Sequence, residues 1–182
     1  NNPEFVLRGQ GQSFSQLFIK NNALGFSKDG SKVPEMYFDF SKEQIIRDRT
    51  QLNGFKSAMV SDGTFEFTVL NGNQLVFGSS FEVTNEPNAG RILSYTLFPD
   101  GKIVVGSNRT LKGYGQSGGL ITTLSGHNGQ VLSIVANDKF FDTYGGDQLI
   151  KVWDLNSLDL AFNLFVSRKN DWILWGENGQ YN

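Results

Sequence analysis

The sequence predicts an all-β protein made of about four four-stranded units and the start of a fifth. Three observations predict it. Short runs of aromatic and branched apolar residues recur at a near-constant period, Gly, Asn and Asp punctuate the gaps between them, and no long stretch carries the 3.6-residue periodicity of an amphipathic helix. Composition agrees: 16 Phe and 21 Gly stand against four Pro in 182 residues, a balance that suits inward-facing aromatics joined by tight turns. With 38% apolar and 19% charged residues the chain is long and apolar enough to bury a core.

The units can be placed in order. Innermost-strand candidates begin at Phe14 (FSQLF), Phe55 (FKSAM), Ile92 (ILSYT) and Val131 (VLSIV), at spacings of 41, 37 and 39 residues. Third-strand candidates each carry one aromatic, Phe38, Phe77, Tyr114 and Trp153, at spacings of 39, 37 and 39. Two independent markers keep step, as they must if one structural unit is repeated. Second strands fall between them, from Ala23, Phe65, Lys102 and Lys139, with turns at Lys28-Asp29-Gly30, Asn71-Gly72-Asn73 and Pro99-Asp100-Gly101. Outer strands are expected at Phe5–Leu7, Ile45–Arg47, Phe81–Thr84, Ile121–Leu124 and Leu160–Val166. The repeats then run over about 3–40, 41–79, 80–118 and 119–155, and a further copy starts in 156–182 with LAFNLFV and DWILW.

One stretch, Gly126 to Asp154, has the most specific pattern. It reads GHNGQVLSIVANDKFFDTYGGDQLIKVWD, opening on Gly-His and closing on Trp-Asp with three strand-like runs between. It resembles one WD repeat, the unit of a β-propeller blade. The resemblance extends back to Ile92, where ILSYTLFPDGKIVVGS looks like an inner strand, a Pro-Asp-Gly turn and a second strand. It implies a WD-repeat β-propeller, and it implies that His127 joins a buried network with Asp147, Thr143 and Trp153. The other units have no matching His, carry Phe or Tyr in place of Trp, and would hold by apolar packing; Leu149 stands where the family usually has Thr. Four units and a fragment do not close a seven- or eight-bladed ring. The expectation is therefore part of a larger ring, completed by more of the same polypeptide or by another chain, with a compact ring of fewer blades as the alternative. The first residues, Asn1-Asn2-Pro3, include no initiator Met, which fits a piece or a processed product.

The tail carries a second resemblance. FNLFVSRKNDWILWGENGQYN is similar to the last blade of certain bacterial propellers, in which an outer strand precedes Asp/Glu-Trp-x-x-Trp, a turn and Gly-x-Tyr. Those propellers often sit in large proteins with a caspase-like peptidase domain, so a linked or associated peptidase is an implied partner. Its catalytic Cys and His are not in this chain, which has no Cys and one His. Trp172, Trp175 and Tyr181 cluster around the tail turn and are candidate interface residues.

Other apparent chemistry has simpler explanations. His127 and Asp147 with Thr143 or Ser133 also spell a nucleophile constellation, but that needs an exposed hydroxyl and an oxyanion hole. Gly113–Gly118 reads GYGQSG and fits a dinucleotide fingerprint, yet a strand follows it where the fingerprint needs a helix. Asn108-Arg109-Thr110 matches a glycosylation acceptor and is expected as a surface turn. Asp29, Asp39, Asp62, Asp100 and Asp154 stand singly at turns or strand ends, so no acid–base pair and no metal site is expected. Arg47-Asp48-Arg49 reads as a solvated face.

A formal net charge of −2 without a Lys/Arg cluster gives no support to a nucleic-acid or anionic-membrane role. The lack of Cys, of a signal peptide and of an 18-residue apolar run suits a cytoplasmic protein. The sequence thus points to a non-catalytic interaction scaffold or regulatory module without a cofactor, whose partner is a protein or the rest of the propeller. The alternative is a propeller enzyme or small-ligand binder that uses a central funnel.

Overall fold

A computed structural model describes residues 11–60, 63, 66–79 and 81–176. The outer strand expected at Phe5–Leu7, together with Asp62, Phe65 and Tyr181, lies outside the described residues. Within them the chain is all β, with antiparallel pairing throughout and two short 3-10 turns, and contains no α-helix.

The first sheet follows the sequence closely. Strands β1 (Gln16–Lys20), β2 (Ala23–Ser27), β3 (Met36–Asp39) and β4 (Gln44–Ile46) pair in that order. Asn21 adopts a left-handed φ of 50° between β1 and β2, a conformation Asn tolerates better than most residues. After β4, Asp48 caps a 3-10 turn at Arg49–Gln51, accepting from the Thr50 N–H, the Thr50 hydroxyl and Gln51 Nε2. The charged run there is the cap of a turn as well as a solvated segment.

The second sheet is smaller: β5 (Phe67–Leu70), β6 (Gln74–Phe77) and β7 (Phe81–Thr84), in that order. Asn71 and Gly72 both have positive φ, 52° and 77°, which is the backbone twist a tight hairpin needs. The innermost strand expected from Phe55 does not form. Lys56 instead bridges to Ile19 of β1, and the Leu97 N–H donates to the Met59 carbonyl at 2.8 Å. The backbone of this segment is divided between two other sheets and has no continuous partner of its own.

The third sheet has eight strands in sequence order: β8 (Ser94–Leu97), β9 (Ile103–Gly106), β10 (Asn108–Tyr114), β11 (Leu120–Ala136), β12 (Phe140–Gly145), β13 (Leu149–Asp154), β14 (Leu160–Val166) and β15 (Trp172–Trp175). The expected outer strand at Ile121 and inner strand at Val131 are one 17-residue strand, β11. Its first part pairs with β10 and its last part with β12, so one extended run serves two units. Asn108-Arg109-Thr110 forms the expected surface turn, here joining β9 to β10: the Ser107 N–H donates to the Thr110 carbonyl at 3.0 Å, Arg109 has φ 61°, and Asn108 and Arg109 are exposed. The glycines after Tyr114 close a turn between two strands, where Gly118 N–H donates to the Gly115 carbonyl. DWILW does not open a new sheet. As β15 it adds to the outer edge of β14, with Phe165 opposite Ile173.

Two apolar clusters join the sheets to one another, and a third lies within the largest sheet. Leu17, Leu24, Phe26 and Phe38 of the first sheet pack on Val135, Tyr144, Ile150 and Leu164 of the third. Phe67, Leu75 and Phe81 of the second pack on Ile103, Val105 and Tyr114. Within the third sheet, Val104 and Leu111 pack on Ile134, Phe141 and Trp153. Each fully buried Leu or Phe contributes roughly 1.5–3 kcal/mol by leaving water.

Four segments of the three sheets and their connections are also joined in a cycle of hydrogen bonds. Leu17 N–H of β1 donates to Ser133 Oγ of β11 at 3.0 Å. Ser94 Oγ of β8 donates to the Val131 carbonyl of β11 at 2.8 Å. Leu97 of β8 reaches Met59, and Lys56 returns to Ile19 of β1. A second tie joins the start of the described chain to its last strands. Gln12 N–H donates to the Val166 carbonyl, while Tyr144 Oη accepts from Phe14 N–H and donates to the Gln12 carbonyl.

Candidate functional site

The four residues grouped in the sequence come together on strands β11, β12 and β13 and the turn between the last two. His127 lies midway along β11, Thr143 on β12, Asp147 in the turn and Trp153 on β13. His127 Nδ1 is 3.0 Å and 3.1 Å from the two Asp147 oxygens, and Nε2 is 2.8 Å from Thr143 Oγ1. Trp153 Nε1–H donates to the same hydroxyl at 2.9 Å.

Proton bookkeeping gives the direction of each bond. An indole N–H only donates and a carboxylate only accepts. Nδ1 of His127 therefore carries a proton toward Asp147, and Thr143 Oγ1, which accepts from the indole, has its own proton to share with Nε2. The Lys151 carbonyl is a further acceptor for the Thr143 hydroxyl, at 3.4 Å. Asp147 also accepts from the Asn128 N–H at 2.7 Å and from the Leu149 N–H at 3.3 Å. Burial would raise its pKa, but the hydrogen bond and charge of His127 and these two N–H groups outweigh burial and lower it. Gly145 is required by the geometry, because a Cβ there would collide with His127 Nδ1 and Asp147 Oδ1.

This arrangement ties strands together and leaves its hydroxyl no access to a substrate. Thr143 is 0% exposed, and its oxygen already serves both the imidazole and the indole. The other candidate hydroxyl, on Ser133, is turned to the first sheet, where it accepts from Leu17 N–H.

The tail tryptophans take opposite faces of β15. Trp172 is half-buried against the first cluster, with its ring edge-on to Phe38 at 5.0 Å. Trp175 is buried with Leu149 and Phe165 in a small separate cluster. Residues three apart on a strand must point to opposite sides, which is why the two do not form one patch.

Three buried polar groups escaped the sequence reading. Lys151 is buried and donates to Asn163 Oδ1 at 2.6 Å, and Asn163 donates onward to the Trp175 carbonyl at 3.4 Å. Tyr144 reads as a core aromatic in sequence but fastens Gln12 and Phe14 through its hydroxyl. Asp142 lies between Val135 and Val152 in the strand register, and its Oδ1 is buried without a hydrogen-bond partner. Burial pushes its pKa up to about 8. β12 and β13 are buried along nearly their whole length, so alternation does not single out these positions, and nothing local marks their partners.

Three of the singly placed aspartates do turn work. Asp39 accepts from Ser41 N–H, Asp100 from Lys102 N–H and Asp154 from Asn156 and Ser157 N–H. Among the described residues no three His, Asp or Glu side chains gather as a ligand set for a metal ion. No described helix is long and apolar enough to cross a membrane. No protein-family model matches the chain, and no curated protein matches it.

Proposed function

We propose that this chain forms WD-repeat-type β-propeller blades and acts as a non-catalytic scaffold or regulatory module for protein partners in the cytoplasm. The observation that carries the reading is the cycle of innermost segments. β1, the Lys56–Met59 segment, β8 and the later part of β11 are linked each to the next by hydrogen bonds. Such a cycle is what blades arranged around one axis produce. It favours the compact ring over the larger one.

The chemistry of the side chains supports a scaffold. The groups that could act as nucleophile or base, His127, Asp147, Thr143 and Ser133, are spent on tying strands. What such a disc offers a partner is rigid edges and loops. The likeness of the tail to bacterial propellers adds a caspase-like peptidase, linked or associated, as the partner class to examine.

Native mass spectrometry tests the architecture. A single 20.2 kDa species that unfolds cooperatively is the expected result. An obligate assembly at twice that mass or more would replace the compact ring with one completed by another chain. A hydrolase substrate screen tests the scaffold role: turnover that disappears in Thr143→Val while the fold persists would overturn it.

A further inference from the structure

The innermost segments end around a cavity of about 330 Å³. Its wall comes from the end of β1 and its turn, the Gly54–Met59 stretch, Pro99 beyond β8, and the turn from Ala136 to Lys139 beyond β11. β1, β8 and β11 contribute their C-terminal ends, and the Gly54–Met59 stretch crosses between β1 and β8, so the cavity sits where the four hydrogen-bonded segments converge. We propose that this mouth is a binding site for a small multivalent anion, one bearing phosphoryl or several carboxylate groups.

Charge is the first argument. Lys20, Lys56 and Lys139 line the cavity, against Asp138 as its one acidic lining residue. The ion pairs among the described residues lie elsewhere, at Lys42–Asp39, Lys102–Asp100 and His127–Asp147. The three ammonium groups thus form no ion pair with a described carboxylate, and among the lining residues they exceed the one carboxylate by two charges. A dianion removes that excess, whereas a metal cation would add to it.

Preorganisation is the second. The Lys20 ammonium is fixed at the rim, donating to the Asn53 carbonyl at 2.6 Å and lying 5.6 Å from the centre of the Phe55 ring. Asn137 Nδ2 donates to the Asn21 carbonyl at 3.2 Å, which locks the two turns that carry Asn22 and Lys139 into one frame. A lysine ammonium supplies three donors and serves phosphate as a point charge, and the amides add directional donors. The volume stands at the small end for ligand pockets, so the occupant is a metabolite-sized anion and no polymer.

The test is a titration of the purified chain at about 0.1 M ionic strength, where diffuse surface attraction is largely screened. Inorganic pyrophosphate and citrate are the two probes, followed by backbone amide shifts. The expected result is saturable shifts confined to residues 20–22, 54–59 and 136–139 with at least one probe. Which probe binds tighter separates phosphoryl from carboxylate. The Lys56→Gln/Lys139→Gln double variant should bind at least about tenfold more weakly, since it loses two charge-assisted contacts. Its melting temperature should not change, because both side chains are exposed. Lys169→Gln, at the opposite end of β14, should bind as the parent does. If the double variant fails to fold, Lys139→Gln alone carries the test with a smaller loss. Absent saturation with both probes, or equal weakening in Lys169→Gln, would overturn the site. Neither result bears on the mass that tests the ring.

Discussion

The β11–β13 region and the β5–β7 sheet share a repeat period and a hairpin plan, yet they are held by different means. In the first, Trp153 packs on Phe141 while its N–H enters the relay through Thr143 and His127 to Asp147. In the second, Phe67 tilts against Phe77 at 4.5 Å and against Tyr95 at 5.1 Å, and the contacts are those of aromatic packing. The polar relay fixes distances and angles across three strands. Aromatic contact fixes area and leaves geometry looser. That the relay region is flanked by strands on both sides, while β5–β7 has three strands and an exposed Leu70 at its hairpin, follows the same division.

The comparison can be broken at its strongest point first. Trp153→Ala should cost about 3–5 kcal/mol, the loss of a buried aromatic together with a stranded hydroxyl. Phe67→Ala, at a site with fewer directional contacts, should fall at or below about 3 kcal/mol. Chemical denaturation of both variants measures the difference; a smaller cost at Trp153 would reverse the comparison. Thr143→Val isolates the relay from packing, since it keeps the volume and removes the hydroxyl. It leaves the indole N–H and His127 Nε2 without their partner and should cost about 2–3 kcal/mol. A double-mutant cycle with His127→Ala should show coupling of at least about 0.5 kcal/mol, and additive losses would mean the bonds act independently.

Two carboxylates give the relay region opposite pH responses. Asp142 is neutral in the fold up to about pH 8, whereas the unfolded chain ionises near the ordinary Asp value. The folded state therefore holds the extra proton, and the contribution of Asp142 to stability declines as pH rises from about 4 toward 8. Asp147 is lowered, so its contribution is present above the ordinary carboxylate range and is lost on acidification. Asp142→Asn should flatten that fall between about pH 4 and pH 8. Melting curves from pH 4 to 9 read it, and an unchanged slope would remove Asp142 as its source. The smallest effect is expected at Leu70, 41% exposed, where Leu70→Thr should stay within about 0.5 kcal/mol.

Much of the strand plan was legible because it is written locally. Leu160–Val166 and Phe81–Thr84 have the bounds read from their apolar alternation, and Asn71-Gly72 turns where its chemistry demands. His127, Thr143, Asp147 and Trp153 could be grouped only through the resemblance of Gly126–Asp154 to a WD repeat, which implies such a network at the matching positions. The FKSAM segment misled because one Phe at the right period looks like a strand start. Its exposed Lys56, Ser57 and Met59 offer no second inward row.

The sequence by itself determined the all-β class, the turn positions and the period near 39 residues, since turn chemistry and side-chain alternation act over a few bonds. The tertiary structure alone decided which edges and faces meet. β11 runs through two units, β15 joins β14, Lys56 pairs with Ile19, and Tyr144 fastens Gln12. Strand edges are chemically alike, so pairing is settled by which apolar faces can be buried together, and that is a property of the whole packed chain.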